Sequence, residues 1–120
     1  MQYMLIYREN AAELARRNDP ENAPAYWGAW QAYIGAMVQA GITRFGAGLQ
    51  PPETATTVRL RGGERQVHVG PFADTHEHLG GFFVIVVASL DEALAWASRA
   101  PSSLGGSTEV RPVLPPPPAQ

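Results

Sequence analysis

Residues 81–88 read GFFVIVVA, eight positions without one polar side chain. The stretch is too short to span a membrane, and it is rich in β-branched and aromatic residues. It predicts a strand at the centre of a sheet, covered on both faces. The rest of the chain must supply that cover. With 120 residues a chain buries roughly two-thirds of the surface its unfolded form exposes, which suffices for one core and not for two.

The flanking segments say what kind of sheet this is. Residues 3–7 form an apolar, aromatic-rich run that Arg8 and Glu9 should stop, a first strand. Asn10 with Glu13 three positions later has capping-box spacing and predicts a helix over 11–17. Asn22 is a second cap candidate with Pro24 in the first turn behind it. Trp27, Trp30, Ile34, Met37, Val38 and Gly41 then recur at spacings of three and four, the stripe of an amphipathic helix ending near Gly41. Residues 42–49 read as a strand closed by Pro51 and Pro52. Ser89 and Glu92 form another capping box, opening a helix to about Ala100, and residues 109–114 read as a last strand. The domain is expected over 1–114, with an unpacked proline-rich tail over 115–120.

Between the second and the central strand lies a hairpin. Residues 56–61 and 64–69 alternate polar and apolar on either side of Gly62-Gly63, the signature of a two-residue turn. That loop sets the register: Arg61 opposes Glu64, Arg59 opposes Gln66, Val58 opposes Val67 and Thr57 opposes His68. The pleat then puts His68 with the polar pairs outside, and Val58, Leu60, Val67 and Val69 inside. The whole order describes an α+β protein: a ferredoxin-like antiparallel sheet with two main helices on one face and an inserted β-hairpin. Its other face requires a cover, which a second copy commonly provides, so a homodimer is expected.

Charge and composition exclude some functions. The nine basic residues are all arginine, they form no run, and the net charge is -2, which argues against a nucleic-acid partner. The absence of cysteine excludes disulfides, thiolate catalysis and cysteine-held metals. The N-terminal apolar run is too short for a signal peptide, so a cytoplasmic protein without membrane attachment is expected.

All three histidines fall between 68 and 78. His76-Glu77-His78 offers two imidazoles and a carboxylate; on a strand His76 and His78 would share a face, but on a helical turn they diverge by about 200°. Asp74 and Glu77 have the spacing of a cap on such a turn, so no metal site is expected. His68, His76 or His78 could serve as a general base with Asp74 or Glu77 orienting the ring. No serine stands in a nucleophile elbow, and Gly80-Gly81 leads into a strand rather than a helix, so neither acyl transfer nor a nucleotide cofactor is indicated. No cofactor is expected. Candidate ligand-lining residues are Tyr26 and Trp30 on the long helix, Gln50, Arg59 and Arg111 for an anion, and Phe72.

Six motifs stand in order along the chain: GLQPP at 48–52, TATTVR at 54–59, GPFADTHE at 70–77, LGG at 79–81, LDEALAW at 90–96 and EVRPV at 109–113. In these the sequence resembles the YCII-related proteins of the DGPF type. The resemblance implies a dimeric α+β barrel with a small cavity between sheet and helices, and a small-molecule ligand. Some distant relatives carry a histidine and aspartate pair and act as lyases or dehydrochlorinases, and many DGPF genes neighbour those of extracytoplasmic-function sigma factors. Here the motif's acid is replaced by Val69, the lysine of Thr-Lys-Glu by His76, and the long helix has no histidine. The expectation is therefore a small-molecule-binding or accessory protein rather than an enzyme. The alternatives are a lyase or isomerase using a histidine base on a small polar substrate, and a regulatory partner of a sigma factor.

Overall fold

A computed structural model describes residues 1–71 and 76–116. Its elements are β1 (Gln2–Asn10), α1 (Ala11–Asn18), α2 (Ala23–Gln39), β2 (Thr43–Gly48), a 3-10 turn (Pro52–Thr54), β3 (Thr56–Arg61), β4 (Glu64–Val69), β5 (Glu77–Val86), α3 (Leu90–Arg99), α4 (Ser102–Gly105) and β6 (Ser107–Pro112). Four strands form an antiparallel sheet in the order β2-β5-β1-β6, and among the described residues β3 pairs with β4 alone. This is the expected ferredoxin-like sheet with a hairpin inserted between its second and third strands. Among the described residues no helix is long and apolar enough to cross a membrane.

The apolar run forms most of β5, between β2 and β1, with Val84 and Ile85 buried. One face of the sheet carries the helices: Tyr3, Leu5 and Tyr7 of β1 and Ile85 of β5 pack with Tyr33 and Met37 of α2 and Ala93 and Ala97 of α3. The small alanines let α3 lie close to the strands. Asn10 and Ser89 cap α1 and α3 as expected, accepting from the Glu13 and Glu92 amides at 3.0 and 3.2 Å.

Several features of the sheet and helices differ from the sequence reading. β1 does not stop at Arg8 but runs to Asn10, and Tyr3, Leu5, Tyr7 and Glu9 are buried in strict alternation. The period of two carries the acid under α2, where partners receive it. Helix α2 is rotated from the expected stripe: it buries Tyr26, Tyr33 and Met37, while Trp27 and Val38 are 42% and 56% exposed. Its remaining surface is mostly alanine and glycine, so apolar spacing could not fix the rotation; hydrogen-bond partners for the tyrosine hydroxyls do. Asn22 makes no side-chain cap and instead donates to Asp19 Oδ2 at 2.7 Å, closing the α1–α2 turn. Finally, α4 forms a short turn after Pro101 that the sequence did not suggest.

The hairpin has the expected register, with φ of 59° and 82° at Gly62 and Gly63, as the turn requires. Its environment is not the expected one. Val58, Leu60, Val67 and Val69 are 54–79% exposed, so Val69 does not face a core. The two strands extend away from the four-stranded sheet instead of lying over it. The radius of gyration, 16.4 Å, accordingly exceeds the roughly 13–14 Å of a compact domain this long.

Candidate functional site

A cavity of about 190 Å³ lies between α2 and the helix-bearing face of the sheet. Tyr7 and Glu9 reach it from β1, Arg17 from α1, Tyr26, Trp27, Trp30, Gln31 and Ile34 from α2, and residues 80–83 from β5. Period two on β1 and spacings of three and four on α2 aim these side chains at one another. The walls are aromatic, with Tyr7 and Trp30 meeting edge to face at 4.9 Å and Tyr26 and Trp27 likewise at 4.9 Å.

Polar groups gather at one end. Glu9 is 3% exposed; Tyr26 donates its hydroxyl to Glu9 Oε2, and Arg17 Nη1 lies 3.8 Å from Oε1. Arg17 also donates to the Leu49 carbonyl and stacks over Trp27 with its guanidinium carbon 5.0 Å from the ring centre. Burial pushes the Glu9 carboxyl above its ordinary range; the Tyr26 hydrogen bond and Arg17 oppose that rise, and nearby Glu13 adds to it. Burial, reinforced by the Glu9 charge, raises Tyr26, which therefore stays protonated as the donor. Behind the wall, Tyr33 donates to the Trp96 carbonyl at 3.1 Å, so the 3.2 Å contact between the two hydroxyls has Tyr7 as donor.

Two glycines make room for this arrangement. The β1–β5 register shifts between Tyr7, opposite Gly81, and Arg8, opposite Leu79, which leaves Gly80 as an unpaired bulge residue. A Cβ at Gly80 would overlap Glu9 Oε1. One at Gly81 would come within 2.7 Å of the Ala47 carbonyl oxygen. The bulge and the missing side chain together create the seat of the carboxylate.

Of the residues singled out in the sequence, Tyr26 and Trp30 line this cavity. Gln50 lies elsewhere, in a groove of about 560 Å³ at the root of the hairpin that Arg8, Glu77 and His78 also border. Arg59 and His68 sit on the polar side of the exposed hairpin. Arg111 is on the helix-free side of the sheet, paired with Glu109 at 2.6 Å, which also pairs with Arg8 at 3.3 Å. Phe72 and Asp74 lie outside the described residues. His76 is exposed just before β5. Glu77 and His78 belong to β5, opposite Asn10 and Glu9, so the described end of the expected helical turn is strand; Glu77 accepts from Ser107 Oγ at 2.5 Å. None of the three histidines lines the aromatic cavity, and among the described residues no three histidines or acids converge on a metal-sized space.

The sequence reading missed Glu9, Arg17 and Tyr7. A signal existed for the first and third: Tyr3, Leu5, Tyr7 and Glu9 continue one alternation, so an acid was already placed on the buried face.

Comparison with known proteins identifies the family and the fold. The family profile described as the YCII-related domain matches residues 1–116. The uncharacterized protein R00369 of Rhizobium meliloti (strain 1021) is 49% identical over 79 residues, covering 63% of each chain. Among solved structures, 5-chloro-2-hydroxyhydroquinone dehydrochlorinase (TftG) of Burkholderia phenoliruptrix AC1100, in complex with 2,5-dihydroxybenzoquinone, superposes with a TM-score of 0.54 at 16% identity. The match spans 95% of this chain and 94% of that one, and it establishes a shared fold. This chain belongs to the YCII-related domain family.

Proposed function

We propose that this YCII-related protein binds a small planar ring in the cavity between α2 and the sheet, as a small-molecule-binding or accessory protein. One observation carries the reading: an aromatic-walled space of about 190 Å³ has Glu9, Tyr26 and Arg17 grouped at one end. A dry cavity of roughly 150 Å³ already takes benzene, so the volume suits one ring with few substituents. The walls supply stacking and the carboxylate end supplies orientation. The structural relative was solved with a six-membered ring of this size class. Trp27 and Trp30 line the cavity, so their fluorescence reports on it. Titration with toluene, phenol and benzoate should give a saturable change for at least one of them, matched by calorimetry. Three flat titrations would overturn the reading.

A second reading, a lyase or isomerase, is favoured by the raised carboxyl of Glu9 beside the space a ring would fill. In that case the base is Glu9 and not a histidine. Turnover of a ring compound that persists in Glu9→Gln would remove Glu9 from the chemistry. The reading as a sigma-factor partner gains no support from the described residues.

We also propose that two copies pair through the helix-free face of the sheet. Met4, Ile6, Phe82, Val84 and Val86 lie there by register, and Phe45 beside them is 61% exposed. Phe45→Glu should convert a dimer to a monomer in sedimentation equilibrium; a wild-type protein that sediments as a monomer contradicts the pairing.

A further inference from the structure

We infer that Glu9 makes the cavity selective for uncharged rings bearing a hydroxyl donor, and that it excludes aromatic carboxylates of the same size. The inference rests on the ring-binding reading and goes on to name the ligand class.

The chemistry at the closed end is that of an acceptor. Glu9 has two carboxylate oxygens, and Tyr26 occupies Oε2 from the α2 side. Oε1 sits in the space that Gly80 leaves free, within ion-pair distance of Arg17, and Glu9 borders the cavity directly. A carboxylate oxygen has more than one lone pair and can accept another proton donor at the cavity end. The rest of the lining is apolar apart from Gln31, which is exposed to solvent, and the Tyr7 hydroxyl, which is engaged with Tyr33. A ligand hydroxyl donating to this buried carboxylate forms a charge-assisted hydrogen bond in a site of low dielectric, the stronger class of such bonds.

An anion meets the opposite situation. Among the described residues Arg17 is the one cation that borders the cavity, and it is ion-paired with Glu9 and donates to the Leu49 carbonyl while its face covers Trp27. Its side chain is 10% exposed, so it is held in that position rather than reaching freely into solvent. A carboxylate entering the cavity would lie against Glu9 with the guanidinium already neutralised, and Glu13 adds a second negative charge nearby. Desolvating that anion in an apolar space without a free partner is strongly unfavourable.

Removing the carboxylate charge should reverse the preference. In Glu9→Gln the amide keeps the shape and can accept from Tyr26, but Arg17 loses its ion partner and becomes available to an anion.

The test measures dissociation constants of phenol, toluene and benzoate at neutral pH, three ligands of one ring size. For the wild type, phenol should bind roughly tenfold more tightly than either of the others, as one charge-assisted hydrogen bond in a buried site implies. In Glu9→Gln phenol should weaken toward toluene while benzoate gains and matches or passes it. Arg17→Gln, which leaves Glu9 in place, should preserve the phenol preference and weaken benzoate further; this variant serves if Glu9→Gln fails to fold. Benzoate binding to the wild type as tightly as phenol would overturn the inference and leave ring binding intact. Failure of all three to bind would instead remove the ring-binding reading on which it stands.

Discussion

The cavity wall and the β3–β4 hairpin both carry polar side chains in clusters, and they differ in what lies under them. Glu9 is 3% exposed, and its side chain is held by a tyrosine hydroxyl, an arginine and the gap left by a glycine. His68, Arg59 and Gln66 border a depression on two strands whose apolar residues are themselves more than half exposed. A polar group acquires perturbed chemistry when the fold removes it from water and restricts its partners, as the cavity wall does for Glu9. Crowding in sequence is a weak guide; alternation that leads an acid onto a buried face is a stronger one.

The comparison can be broken most directly by removing apolar side chains from each region. Leu5 is fully buried under the helices, so Leu5→Ala should cost about 2–5 kcal/mol in chemical denaturation. Val58 is 57% exposed on the hairpin, and Val58→Ala should change stability by no more than about 0.5 kcal/mol in a monomer. A loss above about 1.5 kcal/mol at Val58 would mean that the hairpin face is covered in solution, which is the outcome a clasping second copy would give. Next in size is Gly80→Ala. The added Cβ collides with Glu9 Oε1 at the bulge, which should cost about 1–3 kcal/mol and weaken ring binding together with stability. Wild-type ring affinity in that variant would show that the carboxylate is not seated against Gly80.

Much of the fold was legible because several local signals agreed. The apolar run of β5, the caps at Asn10 and Ser89, and the glycine pair at 62–63 each determine one element almost alone, and the structure follows them. The site was less legible for two physical reasons. Charge at Arg8 and Glu9 resembles the end of a strand, and only tertiary partners, Tyr26 and Arg17, make a buried acid tolerable there. On α2 nearly every position is apolar or small, so the rotation that brings Tyr26 rather than Trp27 inward was not encoded in hydropathy. The hairpin shows the converse: its register was encoded locally, while its distance from the core was not.

A smaller effect separates the two regions by pH. The folded Glu9 carboxyl holds its proton to higher pH than the unfolded one, because burial outweighs its partners. From the ordinary glutamate value of about 4.3 up to the raised folded value, the folded state therefore binds more protons than the unfolded state, and stability falls as pH rises. Below that window the penalty is absent, and above it the penalty is complete. Glu9→Gln has no such slope, so it should match the wild type near pH 4 and exceed it in melting temperature at pH 8, with the shared carboxylates cancelling. A variant that loses stability at pH 8 would show that the Arg17 pairing and the Tyr26 bond outweigh burial and hold the carboxyl down instead.

The smallest effect belongs to the histidine that crowding in the sequence made most prominent. His68 is exposed on β4 opposite Thr57, on strands that contact each other and little else. Its truncation to alanine removes no buried contact, so His68→Ala should leave stability within about 0.5 kcal/mol of wild type. Phenol affinity, set between α2 and the sheet by Glu9 and the aromatic walls, should be unchanged as well. If phenol binding instead falls tenfold in His68→Ala, the hairpin reaches a ring site in the assembled protein. The division between a chemical cavity and an inert arm would then hold for the isolated chain alone.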